Sequence, residues 1–404
     1  MPASPSTARA INDRLALRLL QEQGPLTAGQ LKTLTGLSRP TVADLVERLQ
    51  DSGLVRVVGE SGAERRGPNA RLYGIVADRA HLAALDVRTT SLSVVVTDLV
   101  GGTLAEASLP MEEHSDGPAL GRAVALLERT VAEAGVRRLH SVGIGAPGLI
   151  DPATGELRDS TGLPAWHRRL VAVLHERLPA TVLVENETNL AAVAEQREGA
   201  ARDRDTFVLL WLGHGVGAAV LLDGRLRRGA SGGAGEIGFL PVPGTGGLPS
   251  ATGCDGGFHA LAGSSAIRAL AAGYGIEAGD ARREEAAGAV AVRRALEAGA
   301  DDFLDALAGR VALGAAAVSA VLDPGCVVLG GEIGHAGGAG LAARVEARLA
   351  ALSPLRTQVR ATALGGAAVL RGALLTVRDA AQDELFAPET PPPPPPAPRR
   401  WPAP

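Results

Sequence analysis

The stretch Phe207–Phe239, FVLLWLGHGVGAAVLLDGRLRRGASGGAGEIGF, decides how the rest of the chain is read. It opens with the apolar run Phe207 to Leu212, which predicts a buried strand. Gly213, Gly215 and Gly217 follow at a spacing that suits a tight turn. Glycines there let the backbone approach a ligand, with bare N–H groups free to face an anion. Ala218 to Leu222 reads as the returning strand, and Asp223-Gly224 is a hairpin signal. A second glycine cluster, Gly229 to Gly238, holds one carboxylate, Glu236. In such a loop Glu236 is placed to accept hydrogen bonds from a polyol. The same spacing equally suits a flexible surface loop with a solvated glutamate.

Working outward, 404 residues are many for one core, which predicts two or more domains. The hydrophobic content of 46% fits a soluble globular protein. The net charge of −4 is unevenly spread: Met1 to Ile75 carries ten Arg/Lys against seven Asp/Glu, leaving the remainder at −7. A mildly basic N-terminal piece on an acidic body points to a nucleic-acid-binding module joined to something else. Cys254 and Cys326 are the only cysteines; they exclude a disulfide framework and make a poor zinc site. A reducing, cytoplasmic setting is the simplest expectation. Met1 to Ala10 lacks the apolar core of a signal peptide. The most apolar run, Val311 to Gly331, carries Asp323, Pro324 and several glycines, and so predicts a buried helix and strand instead of a membrane span.

The N-terminal piece has its own pattern. Ile11 to Gln23 reads as a helix ended by Gly24-Pro25, and Thr27 caps a second, Ala28 to Thr35, stopped by Gly36. Ser38 caps a third helix with Pro40 tolerated in its first turn. Val42, Leu45, Val46 and Leu49 fall on one face of it, and Gly53 closes it. The opposite face starts with Ser38, Arg39, Pro40 and Thr41 and continues to Asp44 and Arg48. This is the helix-turn-helix pattern, whose second helix offers its N-terminal residues to base edges in the major groove. Leu54 to Val58 and Arg71 to Ile75 read as strands flanking a polar loop, a wing with Arg65 and Arg66 placed to reach phosphates or a minor groove. A three-helix protein-binding module is the alternative.

Beyond Ile75, strand and helix patterns alternate. His81 to Leu85 and Leu92 to Thr97 are strand-like, and Leu120 to Ala134 is helical. Ser141 to Ile150 is a strand running into a Gly-Ala-Pro-Gly loop. Trp166 to Leu178 is helical, and Val182 to Val184 is a strand. Glu185-Asn186-Glu187 sits where that strand gives way to a helix, Asn189 to Glu198. Polar residues at the C-terminal end of an α/β strand are where ligands usually bind, although Asn186 could instead serve as a helix cap. From Leu261 to Arg371 the chain is mostly alanine-rich helix, interrupted by a strand, Cys326 to Leu329, and then Gly330-Gly331-Glu332. Pro391 to Pro396 opens a proline-rich tail that cannot pack a core and is expected to be disordered or extended.

VGIGAPGLID (142–151), LVENETNLAAVAE (183–195), Leu210 to Gly238 and DPGCVVLGGEIG (323–334) occur in the order and spacing of the ROK family of sugar kinases and sugar-responsive repressors, and the chain from about Ala80 to Ala381 resembles it. The resemblance implies an α/β body of the actin-like (ribonuclease-H-like), two-lobed type, here behind a winged helix-turn-helix. The expected division is residues 1–76 for DNA binding, 77–385 for the body and 386–404 for the tail. Asp86, Val87, Arg88, Thr89 and Thr90 stand where family kinases have an Asp-x-Gly-Gly-Thr phosphate loop, so both glycines are lost. Asn186-Glu187-Thr188-Asn189 stands in place of Asn-Asp-Ala-Asn, which puts a longer glutamate at the catalytic base. His214 replaces a threonine of the second phosphate loop. Phe239 replaces a zinc-binding histidine, and Cys254 is all that remains of three cysteines, so no structural zinc and no cofactor are expected.

By the same resemblance Asn186, Glu187 and Glu236 contact ligand hydroxyls, with the loop Gly145 to Gly148, and Gly148 in particular, beside them. Gly162 stands where the family has a sugar-contacting Asn, which implies a different sugar or a pocket that no longer binds one. The expectation is a transcriptional regulator, acting as a repressor of carbohydrate metabolism, with no catalytic residues. Its partners would be a double-stranded DNA operator and a sugar effector; it would be a homodimer or homotetramer with no membrane contact. An active ATP-dependent sugar kinase with a DNA-binding arm and a scaffold that only dimerises are the alternatives.

Overall fold

The computed structural model describes residues 5–61, 70–88, 90–111, 116–158, 165–250, 253–277 and 286–387. Arg65, Arg66, Thr89, Gly162 and the proline-rich tail lie outside the described residues. The chain forms two compact units, one from residues 1–79 and 380–404, the other from residues 80–379.

The first unit contains α1 (Pro5–Gln23), β1 (Leu26–Thr27), α2 (Ala28–Thr35), α3 (Arg39–Asp51), β2 (Val55–Ser61) and β3 (Ala70–Ile75). Thr27 and Gln30 close a reciprocal capping box at the start of α2: the Gln30 N–H donates to Thr27 Oγ1 at 3.2 Å and the Thr27 N–H to Gln30 Oε1 at 2.8 Å. Gly36 ends α2 with φ of 70°, a left-handed conformation that glycine adopts without strain. Val42, Leu45, Val46 and Leu49 form the buried face of α3. The three strands pair antiparallel in the order β1-β3-β2. Two expectations change here. β2 continues to Ser61, past Gly59, and a two-residue β1 adds an edge that has no local signal.

The second unit repeats one topology. Its first half contains β4 (His81–Val87), β5 (Ser91–Asp98), β6 (Thr103–Pro110), α4 (Asp116–Glu133), β7 (Ser141–Ala146), α5 (Ala165–Arg177), β8 (Thr181–Asn186) and α6 (Glu187–Arg197). The sheet order is β6-β5-β4-β7-β8, antiparallel among the first three strands and parallel from β4 through β8. The second half contains β9 (Phe207–Leu212), β10 (Val216–Leu222), β11 (Arg225–Leu226), α7 (His259–Ala262), α8 (Ser264–Gly273), α9 (Ala287–Ala298), α10 (Asp301–Leu322), β12 (Cys326–Gly330), α11 (Gly331–Leu352), β13 (Gln358–Ala361) and α12 (Ala368–Leu385). Its order, β11-β10-β9-β12-β13, has the same pattern of antiparallel and parallel pairs. Two such sheets in one unit make the two-lobed, actin-like body.

Asp223 and Gly224 carry φ of 55° and 70° at the β10–β11 turn, the left-handed pair that a tight hairpin requires. Between the sheets, Leu190 of α6 and Val369 and Ala373 of α12 pack with Ala84, Phe207, Leu209 and Val328 from both halves. A side chain at Gly372 would collide with the Leu190 carbonyl, so glycine there lets α12 approach α6. Helix α10 is long and apolar enough to cross a membrane by length and composition. Its Phe303, Leu304, Leu307 and Val311 are instead core residues of the second half. α6 begins at Glu187, two residues earlier than the sequence suggests, because Asn186 caps it. The last residues of α12, from Ala380, belong to the first unit, where Asp383 pairs with Arg14 and Gln382 donates to Gln21 at 2.7 Å.

Candidate functional site

In the first unit the exposed end of α3 is the candidate nucleic-acid surface. Ser38 Oγ accepts from the Thr41 N–H at 3.3 Å and lies 2.7 Å from Thr41 Oγ1. This cap fixes where the helix starts and turns its first residues outward. Ser38, Arg39, Pro40 and Asp44 are exposed and Thr41 is half-buried. Arg48 does not belong to this surface. Its Nη2 donates to Asp13 Oδ1 on α1 at 2.6 Å, because nine residues beyond Arg39, roughly two and a half turns, the side chain has swung to the opposite side.

In the second unit a cavity of about 620 Å³ lies between the two sheets' loops, lined by Gly148, Asn186, Glu187, Trp211, Glu236 and Asp255 among others. Four candidates from distant parts of the sequence thus converge: Gly148 after β7, Asn186 and Glu187 at the β8–α6 junction, and Glu236 after β11. Gly145 does not join them. It lies inside β7, where an added side chain would stand 2.7 Å from Val369 and 2.9 Å from Leu190. Gly235 is clasped to β10 by the Ala218 N–H at 2.8 Å, which aims the loop carrying Glu236.

Asn186 is more committed than its sequence position suggests. Its Oδ1 accepts from the Thr188 and Asn189 N–H groups at 2.9 and 3.3 Å. Its Nδ2 donates to the Gly148 carbonyl at 3.0 Å and to Glu187 Oε2 at 2.9 Å. Asn186 therefore caps α6 and orients Glu187 towards the cavity. Glu185 is likewise occupied, accepting from Asn189 at 2.9 Å and from Arg228 at 2.5 Å.

The cleft is rich in carboxylates. Burial pushes the Glu187 carboxyl up to about 8, and the negative charges of Asp86 and Glu236 add to the rise. Glu236 is exposed by area, yet surrounding protein thins the water around its carboxyl and raises it too. A neutral Glu187 both donates and accepts, which suits a hydroxyl partner.

Beside the cavity, Arg88 lies in the segment that the resemblance matches to a kinase phosphate loop. Its Nε donates to Asp86 Oδ2 at 3.0 Å and its Nη1 to Glu332 Oε1 at 2.7 Å. Burial opposes the guanidinium charge, but the two carboxylates outweigh it and hold Arg88 above its ordinary value. The β9–β10 turn also departs from expectation. A side chain at Gly213 would collide with Glu332 Oε2 and stand 2.8 Å from Trp211 Nε1, so what approaches this glycine is the chain's own carboxylate.

The donor set does not fit a structural zinc. Cys254 offers one thiol, which burial pushes up towards its protonated form, and Phe239 stands exposed where the family has histidine. Among the described residues no group of three or more His, Cys, Asp or Glu could hold a metal ion. Trp211, Asp255 and Glu332 also belong to the site and its surroundings, and their only local signals are a rare tryptophan next to the Gly213 turn and acidic residues inside glycine-rich segments.

The model of the ROK family matches residues 82–380, and that of the MarR family matches residues 11–67. The chain is 27% identical over 239 residues to the N-acetylglucosamine repressor of Escherichia coli, covering 58% of each protein. The chain thus spans somewhat over half the length of that relative. A crystal structure of a ROK family transcriptional regulator, a homologue of the E. coli MLC protein, superposes with a TM-score of 0.74 at 22% identity, covering 94% of this chain and 98% of that one. A ROK family glucokinase from Streptomyces griseus, solved with glucose and AMPPNP, superposes with a TM-score of 0.62 at 25% identity, covering 74% and 99%.

Proposed function

The chain belongs to the ROK family, and from that premise we propose that it is a sugar-responsive, DNA-binding transcriptional regulator, a repressor that senses a sugar without phosphorylating it. The observation that carries the reading is the capped α3, with Ser38, Arg39, Pro40, Thr41 and Asp44 at its outward end, in a unit matched by the MarR family. The likeness to the N-acetylglucosamine repressor supports the same reading. Arg65 and Arg66, outside the described residues, are proposed as phosphate-contacting residues.

Residues 1–76 bind the operator, residues 77–385 hold the effector, and 386–404 form a tail. Gly148, Asn186, Glu187 and Glu236 make the effector site, with Asn186 acting chiefly through the orientation of Glu187. A sugar held by Glu187 from one lobe and Glu236 from the other favours the closed cleft, because both bonds form only there. One winged helix reads a short half-site, so the working form is a homodimer or homotetramer on a roughly palindromic operator in the cytoplasm.

A second reading, an ATP-dependent sugar kinase with a DNA-binding arm, draws on the likeness to the S. griseus glucokinase and on Glu187, whose raised carboxyl suits a proton acceptor. Arg88 weighs against it. Its side chain and its two carboxylate partners crowd the segment where nucleotide phosphates would approach the backbone. A thermal-shift screen of the full chain against monosaccharides, followed by binding to DNA from upstream of its own gene, tests the proposal. A sugar that raises the melting temperature and changes DNA affinity supports it. Specific DNA binding that no sugar alters contradicts it.

A further inference from the structure

We propose that Arg88 is a positioning residue that bridges the two lobes of the body and sets how tightly the cleft holds its effector. The inference rests on the reading of the cavity as a sugar site. The bridge itself stands on separate observations.

Arg88 follows β4 in the first lobe, and one of its carboxylate partners, Asp86, belongs to that strand. The other, Glu332, opens α11 in the second lobe, 244 positions further along the chain. The guanidinium carbon also lies 5.9 Å from the centre of the Trp211 ring on β9, and Nη2 reaches the Gly366 carbonyl at 3.5 Å. One side chain is thus held by groups from both sheets and from the segment leading into α12.

The surroundings are shaped for it. Gly213 makes room for the Glu332 carboxylate, and Gly331, with φ of 76°, packs against the Leu212 backbone where any side chain would collide. Asp86 is 5% exposed and Arg88 a quarter exposed by side chain, so water screens these pairs less than surface pairs. The forked guanidinium can satisfy two carboxylates at fixed geometry, which a lysine cannot. Trp211 lies within cation–π range of Arg88 and lines the cavity, and the charges of Asp86 and Arg88 act on Glu187. The bridge and the effector site therefore share walls. Loosening it lowers the fraction of molecules whose Glu187 and Glu236 face each other, and apparent affinity falls by that fraction.

The test uses the full-length chain with one spin label on the outer face of each lobe. It compares wild type, Glu332→Gln, Arg88→Lys and the double variant Asp86→Asn with Arg88→Ala, which removes the buried charge together with its partner. Inter-lobe distance distributions are recorded without sugar, and sugar dissociation constants are measured by calorimetry. The bridge predicts broadened distances in Glu332→Gln and in the double variant, intermediate behaviour in Arg88→Lys, and dissociation constants about tenfold higher where the distances broaden. Unchanged distances in folded Glu332→Gln and in the folded double variant overturn the bridge. Broadened distances with unchanged sugar affinity overturn its role in binding. Broadened distances in a protein that binds no monosaccharide even as wild type leave the bridge standing and refute the sugar reading.

Discussion

Replacing Glu187 by glutamine should change how stability depends on pH. Burial, the first cause, pushes the folded carboxyl up to about 8 from the ordinary glutamate value of 4.5. Between these values the folded chain holds a proton that the unfolded chain has released, so stability falls as pH rises. The contribution is fully present below 4.5 and is lost as pH rises through about 8. At about 1.4 kcal/mol per pKa unit the interval sets an upper bound on the order of 5 kcal/mol. Partial contact of the side chain with water reduces the expected effect to roughly 1–3 kcal/mol. Glutamine keeps the size of the side chain and the acceptor for Asn186 Nδ2 but cannot titrate. Denaturant unfolding of the body, followed by tryptophan fluorescence between pH 5 and 9 (roughly the window in which this proton is lost), reads the difference. The wild type should lose stability relative to the variant by that amount across the window. Asp86 and Glu236 are electrostatically coupled to Glu187, so the difference between the two profiles reports Glu187 together with the shift its charge imposes on them. Parallel profiles would refute the assignment of a neutral Glu187.

Three further outcomes follow from the same geometry. Arg39→Ala should weaken operator binding by about 1–3 kcal/mol if the side chain reads a base, measured by anisotropy at fixed salt, and leave the fold intact. Asn186→Ala removes the α6 cap and should lower the stability of the body by about 0.5–2 kcal/mol in denaturant titrations. The chain should not turn over ATP with common hexoses or pentoses in a coupled assay, because Arg88 and its carboxylate partners crowd the segment that the resemblance matches to a kinase phosphate loop; turnover at ordinary kinase rates, about 1–100 per second, would overturn that.

Much of this fold is legible locally. Thr27, Gly36 and Ser38 mark helix ends by their own chemistry, and the spacing of Val42, Leu45, Val46 and Leu49 fixes the buried face of α3. Asp223-Gly224 likewise dictates its hairpin. What escaped depends on partners far away. β13 is four residues containing Gln358 and Arg360, and it is a strand because β12 pairs with it. β6 alternates exposed and half-buried residues at a sheet edge, with little apolar content to mark it. The site divides in the same way. Glu236 and the Asn186-Glu187 pair are visible as polar residues in ligand-prone positions, but their convergence needs both sheets. Arg88 reads from sequence as a lost glycine; its pairing with Glu332 exists only in the folded body.

The proposed function couples a sugar-filled cleft to DNA binding in one chain. It is tested most directly by titrating wild type and Glu236→Ala against a labelled operator duplex, with and without the sugar found in the thermal-shift screen. The expected result is equal operator affinity for the two proteins without sugar, a sugar-dependent change in affinity for the wild type, and no change for Glu236→Ala. A variant that responds to the sugar as the wild type does would contradict it, and the cleft would not be the sensor.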